Sequence, residues 1–509
     1  MADLIDHESL NQDEKGTTAT VGDTSSSPCH ESFWHQSSQL FQLQRKLKSR
    51  HLQMIAIGGT VGTGLFIGSG EAISTAGPAG ALIAYTFVGS IVYSVIVSLG
   101  EMATCIPVAG AFTTYATRFA DPSLGFAMGW IYWFSWSITF ALELTATSLI
   151  IQFWIKDAPA AIFIGQQGYL GFKYWKDPGA FAPYLVEVVG TDHIATAKFI
   201  GFWATLIQAG FSYQGTELVG IAAGEAENPR KAVPAAIKKT FYRILFLFVL
   251  TIFFIGILIP YTNQDLMSQA ANASASPFVI AAKLAGVRVL PSLINAVLLT
   301  VVISAANSNV YSGSRILVGL SRDGCAPKPF SKTTKGGVPI ACVLFTAAFG
   351  LLGFLNLSNS GAMVFEWFMN ISGIAGFIAW SCINGCHLRF MRVLRERNIS
   401  RDVLPYKAPF QPYLAWYGLS FNILIIITQG FRAFLPWELS NFFVSYISLF
   451  LFIMLYFTHK VVCRTTFVKL READVDTGRV VVYTDTSGPT RVPTTTWELV
   501  LHRIQKMFF

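Results

Sequence analysis

The sequence predicts an all-α, polytopic membrane protein, and three observations predict it. Of 509 residues, 52% are hydrophobic and only 13% are charged, against about 25% charged in soluble proteins. The mean hydropathy is +0.49. Ten apolar runs have the length of about 20 residues that a hydrocarbon core of roughly 30 Å demands of a helix. Lysine and arginine gather in alternate connections between those runs, as the positive-inside rule requires.

Residues 1–50 open the chain with Ser, Thr, Asp and Glu in excess and include Ser25-Ser26-Ser27-Pro28. That composition predicts a disordered cytoplasmic tail. No cleavable signal peptide is expected, because the start is polar and the first apolar run is too long for an h-region; the first span directs insertion. A transmembrane domain then occupies 51–463, with spans near 52–73, 80–105, 126–155, 199–222, 241–261, 289–311, 339–357, 362–386, 412–435 and 441–463. Residues 464–509 read as a second cytoplasmic tail, in which Trp497-Glu498-Leu499-Val500-Leu501 and Phe508-Phe509 suit a short amphipathic helix at the membrane face. Asn272-Ala273-Ser274 is a glycosylation sequon on the side predicted to be external.

The basic loops set the orientation. Arg230, Lys231, Lys238, Lys239 and Arg243 follow the fourth span, Arg315, Arg322, Lys328, Lys332 and Lys335 the sixth, and Arg389, Arg392, Arg395, Arg397, Arg401 and Lys407 the eighth. These loops and both tails are expected in the cytoplasm. The segment 156–198, with Lys156, Lys173, Lys176 and Lys198, is a partial exception. The net charge of +8 resides in these connections, so it gives no support to nucleic-acid binding. The seven cysteines lie in spans or cytoplasmic segments, which argues against a disulfide framework. Cys382 and Cys386 share a helix face, but without His or carboxylate neighbours they read as packing rather than as a metal site.

Two spans are interrupted. The first carries Gly58-Gly59-Thr60-Val61-Gly62-Thr63-Gly64 and the fourth Phe211-Ser212-Tyr213-Gln214-Gly215-Thr216-Glu217. Each glycine weakens a helix interior by about 1 kcal/mol, and bare backbone at membrane depth survives only where protein or a water-filled cavity receives it. A half-helix N-terminus offers N–H groups to an anion, and an opposing C-terminus offers carbonyls to a cation. A free amino acid, a zwitterion, fits that pair. Close packing through small residues is the competing explanation of either break alone.

The glycines do not make a nucleotide site. Gly62-x-Gly64 is followed by Ile67 where a dinucleotide fingerprint needs glycine, and neither a phosphate-binding Gly-Lys-Ser/Thr loop nor a His-Glu-x-x-His motif occurs. An ATP-driven pump or a membrane enzyme therefore lacks its parts, and no cofactor or metal is expected. Intramembrane carboxylates are costly and usually face a partner or cavity; Glu143, deep in the third span, is the strongest such candidate. Glu101 and Glu217 lie nearer span ends, where an interfacial role competes, and Glu366 lies near a mouth. Trp380 suits either a gate against substrate or interhelical packing.

His51 to Phe66, Leu99-Gly100-Glu101-Met102-Ala103-Thr104, Phe211 to Gly220, Gly224 to Pro234, Ser304 to Tyr311 and Thr333 to Pro339 resemble the fungal amino acid permeases of the amino acid, polyamine and organocation superfamily. Ile399-Ser400-Arg401-Asp402-Val403-Leu404-Pro405-Tyr406-Lys407 looks most like the lysine and arginine permeases. The resemblance implies an inverted-repeat permease fold with twelve spans, and proton-driven uptake of amino acids across the plasma membrane. It stops near Trp154 and resumes at Leu170, and the 15 residues Ile155 to Tyr169 are too few to cross twice. Two scaffold spans, the family's fourth and fifth, are thus expected to be missing, along with the fifth-span lysine that the resemblance associates with proton coupling. Losing two spans preserves every downstream orientation, but is expected to leave polar faces of neighbouring spans toward lipid.

The expected site has the backbone of Thr60, Val61, Gly62, Thr63 and Gly64 receiving a substrate carboxylate. The backbone of Phe211, Ser212, Tyr213, Gln214, Gly215 and Thr216 is expected to receive its ammonium. Glu143, Ser372 and Trp380 are the side-chain candidates, with Glu143 also favouring a cationic side chain. The expected partners are an amino acid, protons and the lipid bilayer. The rivals are a membrane protein that senses or binds amino acids without transporting them or pairs with an intact permease, a non-functional shortened permease, and an ion or water channel, for which no filter-like element is seen.

Overall fold

The computed structural model describes residues 60, 62–108, 111–155, 171–221, 229–267, 276–286, 289–334, 337–357, 361–434 and 437–479. The tail 1–50, Gly58-Gly59, Val61, the sequon at Asn272 and the amphipathic stretch at Trp497 lie outside them. Among the described residues the fold is helical, with one isolated bridge, Phe434 to Trp437, in place of any strand.

The first span resumes after its break as α1 (Thr63–Phe66) and passes through Ile67 into α2 (Gly68–Cys105). The 38 residues of α2 would reach about 57 Å at 1.5 Å each, nearly twice a bilayer core. The helix therefore turns a corner. Gly77 adopts φ +75°, ψ 170°, and Pro78 follows with no N–H to give. The groups released there are captured by a distant segment: Ala182 N–H donates to the Ala76 carbonyl at 3.1 Å, and Ala79 N–H to the Ala180 carbonyl at 2.9 Å. A Cβ on Gly77 would lie 2.5 Å from the Ala182 nitrogen, so glycine is required on both counts.

Besides short turns of helix such as Val186–Val189 and Gln264–Met267, the helices that follow are α3 (Ala111–Phe119), α4 (Pro122–Ile155), α5 (Ile194–Ala204), α6 (Leu206–Tyr213), α7 (Leu218–Ile221), α8 (Pro229–Leu258), α9 (Pro277–Leu284), α10 (Leu290–Arg322), α11 (Ile340–Ala348), α12 (Gly361–Glu396), α13 (Tyr413–Thr428) and α14 (Leu439–Cys463). Eight helices among the described residues are long and apolar enough to cross a membrane. The sequence reading has ten spans. The first of them lies partly outside the described residues and runs into the second at the Gly77 corner, and the one near 339–357 is a shorter apolar helix, Ile340–Asn356. The core lies where α12 packs on α2, α4, α6, α13 and α14, and where α4 packs on α10.

Exposed faces differ in chemistry. On α8 the outward residues Tyr242, Phe246, Leu250 and Phe254 recur every four positions, an apolar stripe suited to lipid. On α10 the exposed stripe mixes Leu293, Val297, Ile303 and Tyr311 with Thr300, Ser304 and Asn307. The second pattern matches the expected loss of helices that would otherwise cover it.

One buried ion cluster ties the basic end together. Glu101, fully buried, accepts two hydrogen bonds from Arg401, Nε and Nη2 at 2.7 Å each, one from the Ala408 N–H at 3.0 Å, and stands 3.1 Å from His387 Nε2. The expected interfacial carboxylate is thus a clamp joining α2, α12 and the loop after α12. Breaking a buried pair by removing one partner costs about 3–5 kcal/mol, so Arg401→Met is expected to lower the thermal midpoint of the detergent-solubilised protein sharply; an unchanged midpoint would contradict the clamp.

The chain past α14 does not leave at once. Residues 464–479 run across the helix ends, with Ala473 and Val475 buried. Arg397 Nη1 donates to Asp476 Oδ2 at 2.7 Å, Arg118 Nη1 to the Thr477 carbonyl at 2.7 Å, and Arg471 Nε to Glu396 Oε1 at 2.8 Å.

Candidate functional site

Both breaks are present and they meet. Thr60 is helical, Gly62 is extended at φ −146°, ψ −151°, and α1 begins at Thr63. Opposite, α6 ends at Tyr213, Gln214 is extended at ψ 145°, Gly215 has φ +94°, and α7 resumes at Leu218. Closest approach is at Gly64, where an added Cβ would lie 2.9 Å from the Ser212 Cα and 3.1 Å from the Phe211 ring. The helix after the first break continues through Ile67, whose N–H bonds the Thr63 carbonyl at 2.8 Å, so its dipole is that of a longer helix than α1 alone.

A narrow cavity opens between these breaks, α4 and α10. It is lined by Thr60, Gly62, Thr63, Gly64, Tyr132, Ser135, Trp136, Thr139, Glu143, Phe211, Gln214, Glu217, Ala305 and Asn309. The lining holds two carboxylates and no basic side chain. Glu143 is 3% exposed; its Oε1 accepts from the Thr63 hydroxyl at 3.1 Å, while its Oε2 has no partner. Glu217 Oε1 accepts from the Tyr132 hydroxyl at 2.8 Å, and its Oε2 from the Thr216 hydroxyl at 3.4 Å. A buried carboxylate oxygen without a donor is costly, so a cation entering beside Glu143 would be strongly favoured.

Of the expected residues, Thr60, Gly62, Thr63, Gly64, Glu143, Phe211 and Gln214 line the cavity, and Val61 lies outside the described residues. Ser212, Tyr213, Gly215, Thr216, Ser372 and Trp380 do not line it. Ser212 bonds the Gln208 carbonyl at 2.8 Å and the Tyr85 hydroxyl at 3.0 Å. Tyr213 packs edge-on against Phe248. The carbonyls of Phe211 and Tyr213 are taken by their own turn, from the Gln214 and Thr216 N–H groups at 3.2 and 3.4 Å, so fewer of them face the cavity than a bare helix end would supply. Trp380 is 1% exposed and stands edge-on to Phe377.

Ser372 stands one layer behind the wall. Its hydroxyl lies 2.6 Å from Thr139 Oγ1, 3.1 Å from Ser135 Oγ and 3.1 Å from Gln214 Oε1, and its carbonyl accepts from Gln214 Nε2 at 2.7 Å. It thus fixes the second break to α4. Tyr132, Ser135, Trp136 and Thr139 escaped the sequence reading, although with Glu143 they recur three or four apart and so share one face of α4. Ala305 and Asn309, one turn apart on α10, close the far wall.

The family model described as amino acid permease matches residues 51–166 and 160–472. The two pieces meet where the sequence predicts missing spans. The chain is 44% identical over 489 residues to the basic amino-acid permease of Saccharomyces cerevisiae, covering 86% of this chain and 84% of that one. Because 86% of 509 residues is about 438, about 50 of those 489 aligned positions have no counterpart here. The lysine-specific permease of Saccharomyces cerevisiae is 43% identical over 485 residues, with 86% and 79% covered. The lysine/arginine permease of Candida albicans is 42% identical over 462 residues, with 82% and 80% covered. Among solved structures, a manganese transporter of Eremococcus coleocola is similar at a TM-score of 0.46 and 9% identity, covering 84% of this chain and 99% of that one.

Proposed function

The chain belongs to the amino acid permease family, and we propose that it carries cationic amino acids, lysine or arginine, across the plasma membrane by coupling their entry to protons. One observation carries the charge preference: the buried Oε2 of Glu143 lacks a donor in a cavity whose lining has no basic side chain. A lysine or arginine zwitterion brings one carboxylate and two cations. The carboxylate is received at the Thr60 to Gly64 break, where the N-terminal end of the helix supplies N–H groups. The α-ammonium goes to the second break, at Phe211 and Gln214, and the side-chain cation to Glu143.

Glu143 and Glu217 are the cavity's carboxylates and therefore the groups proposed to exchange protons as substrate enters and leaves. Alternating access follows from the broken spans rocking against α4, α10 and α12. The basic loops support a cytoplasmic position for both tails, 1–50 and 464–509, on either side of a permease domain at 51–463. Labelled-lysine uptake in permease-deficient cells tests the site through Gly62→Leu. A Cβ there would stand 3.3 Å from Glu143 Oε1 and 3.6 Å from Ala305, so a leucine fills the cavity and uptake is expected to fall at least about tenfold. Undiminished uptake would remove the cavity from the pathway.

The mixed polar and apolar exposed face of α10 favours a second reading, in which the shortened scaffold binds amino acids without completing transport. Purified protein that binds lysine while cells expressing it take up none would decide for that reading.

A further inference from the structure

A second cavity, of about 450 Å³, opens at the basic end of the molecule, between the last turns of α12 and the start of α13. Leu388, Met391, Arg392, Arg395 and Ile399 recur along one face of α12 and the turn beyond it, and Trp416 faces them from α13. Arg401, which also lines this space, is neutralised by Glu101. Arg392 and Arg395 are exposed and have no carboxylate partner among the described residues, although eleven ion pairs form there.

The nearby acids are already occupied. Glu396 is bonded by Arg471 at 2.8 Å, and Asp402 by Lys407 at 2.5 Å. Two free guanidinium groups therefore share a cavity with an apolar wall. The cavity sits at the ends of two membrane-crossing helices, beside strongly exposed aromatics: Phe410 and Tyr413 are each 79% exposed, and Trp416 is 48% exposed. Aromatic rings in such numbers at a helix end mark the headgroup level of a bilayer.

We propose that this cavity binds an anionic phospholipid of the inner leaflet, with its phosphate on Arg392 and Arg395 and its upper acyl chain along Trp416 and Met391. Guanidinium groups bind phosphate oxygens in a paired fork, and basic pockets between spans on the cytoplasmic side are suited to such headgroups. The inner-leaflet assignment rests on the orientation proposed above. Lipid binding itself is measured without transport, so the two readings fail separately.

Native mass spectrometry of the full chain in detergent, titrated with phosphatidylserine or phosphatidylcholine, tests the proposal. The native chain is expected to retain phosphatidylserine at least about tenfold more tightly than phosphatidylcholine. Arg392→Gln with Arg395→Gln is expected to weaken phosphatidylserine by roughly fivefold per arginine, about 25-fold together. Lys328→Gln with Lys332→Gln, which removes the same charge from another exposed loop, is expected to leave it unchanged. Equal retention by the arginine variant and the native chain would overturn the site, as would equal loss in the lysine control. Displacement of the lipid by millimolar inorganic phosphate alone would show a site for a soluble anion and refute the lipid.

Discussion

Glu143→Gln is expected to lower kcat/KM for lysine uptake by at least about 100-fold. Removing one partner of a buried ion pair costs about 3–5 kcal/mol, and each 1.4 kcal/mol is about tenfold. The substitution keeps the oxygen that accepts from the Thr63 hydroxyl at 3.1 Å, and so leaves the first break supported. What it removes is the negative charge beside the unpartnered Oε2. Norleucine, similar in length but uncharged at its tip, is expected to lose less than about fivefold wherever its entry is measurable. Equal losses for the two substrates would transfer Glu143 from selectivity to the conformational cycle. Lysine uptake at the native level would exclude it from the site.

Gly64→Val is expected to reduce uptake by about 10- to 100-fold while the amount of protein at the cell surface stays within about twofold. The added Cβ meets backbone, the Ser212 Cα at 2.9 Å, as well as the Phe211 ring at 3.1 Å. Backbone cannot step aside as a flexible side chain does, and overpacking of this kind costs about 1–3 kcal/mol. The two breaks must separate, and the cavity they enclose changes shape. Gly68→Ala is the matched comparison, since its Cβ would meet only the Met369 sulfur at 3.8 Å; uptake within about twofold of native is expected. Similar losses in both variants would point to a general intolerance of α1 and α2 rather than to their approach to α6.

Much of the architecture is legible because glycine, proline and charge punctuate an otherwise apolar chain. Gly62 and Gly215 stand where the two spans open, and the lysine and arginine clusters mark one end of the helices. The direction in which a broken segment faces is less legible. Ser212 and Tyr213 lie within the break motif, yet neighbouring Tyr85 and Phe248 draw them into the core, and no local pattern encodes that choice. The stripe from Tyr132 to Glu143 has readable spacing, but its serine and threonine also suit ordinary helix packing in a membrane. Asn309 faces the cavity only because α10 rests on α4, a tertiary fact. The stretch 464–479 is polar overall, so the burial of Ala473 and Val475 depends on Arg118 of α3 and Arg397 just past α12, far away in sequence.

The Gly77 corner also orders events during synthesis. Its loose carbonyl at Ala76 and N–H at Ala79 find their partners in residues 180–182, which leave the ribosome about 100 residues later. At roughly 5–20 residues per second the nascent hairpin waits on the order of 5–20 s with those groups unmatched, so water or the insertion machinery must attend the bend in the meantime. Nascent chains arrested before residue 180 should therefore label readily at a cysteine placed beside the bend, and chains released beyond residue 182 should not. The first two spans thus enter the bilayer early, but only a much later part of the polypeptide seals them.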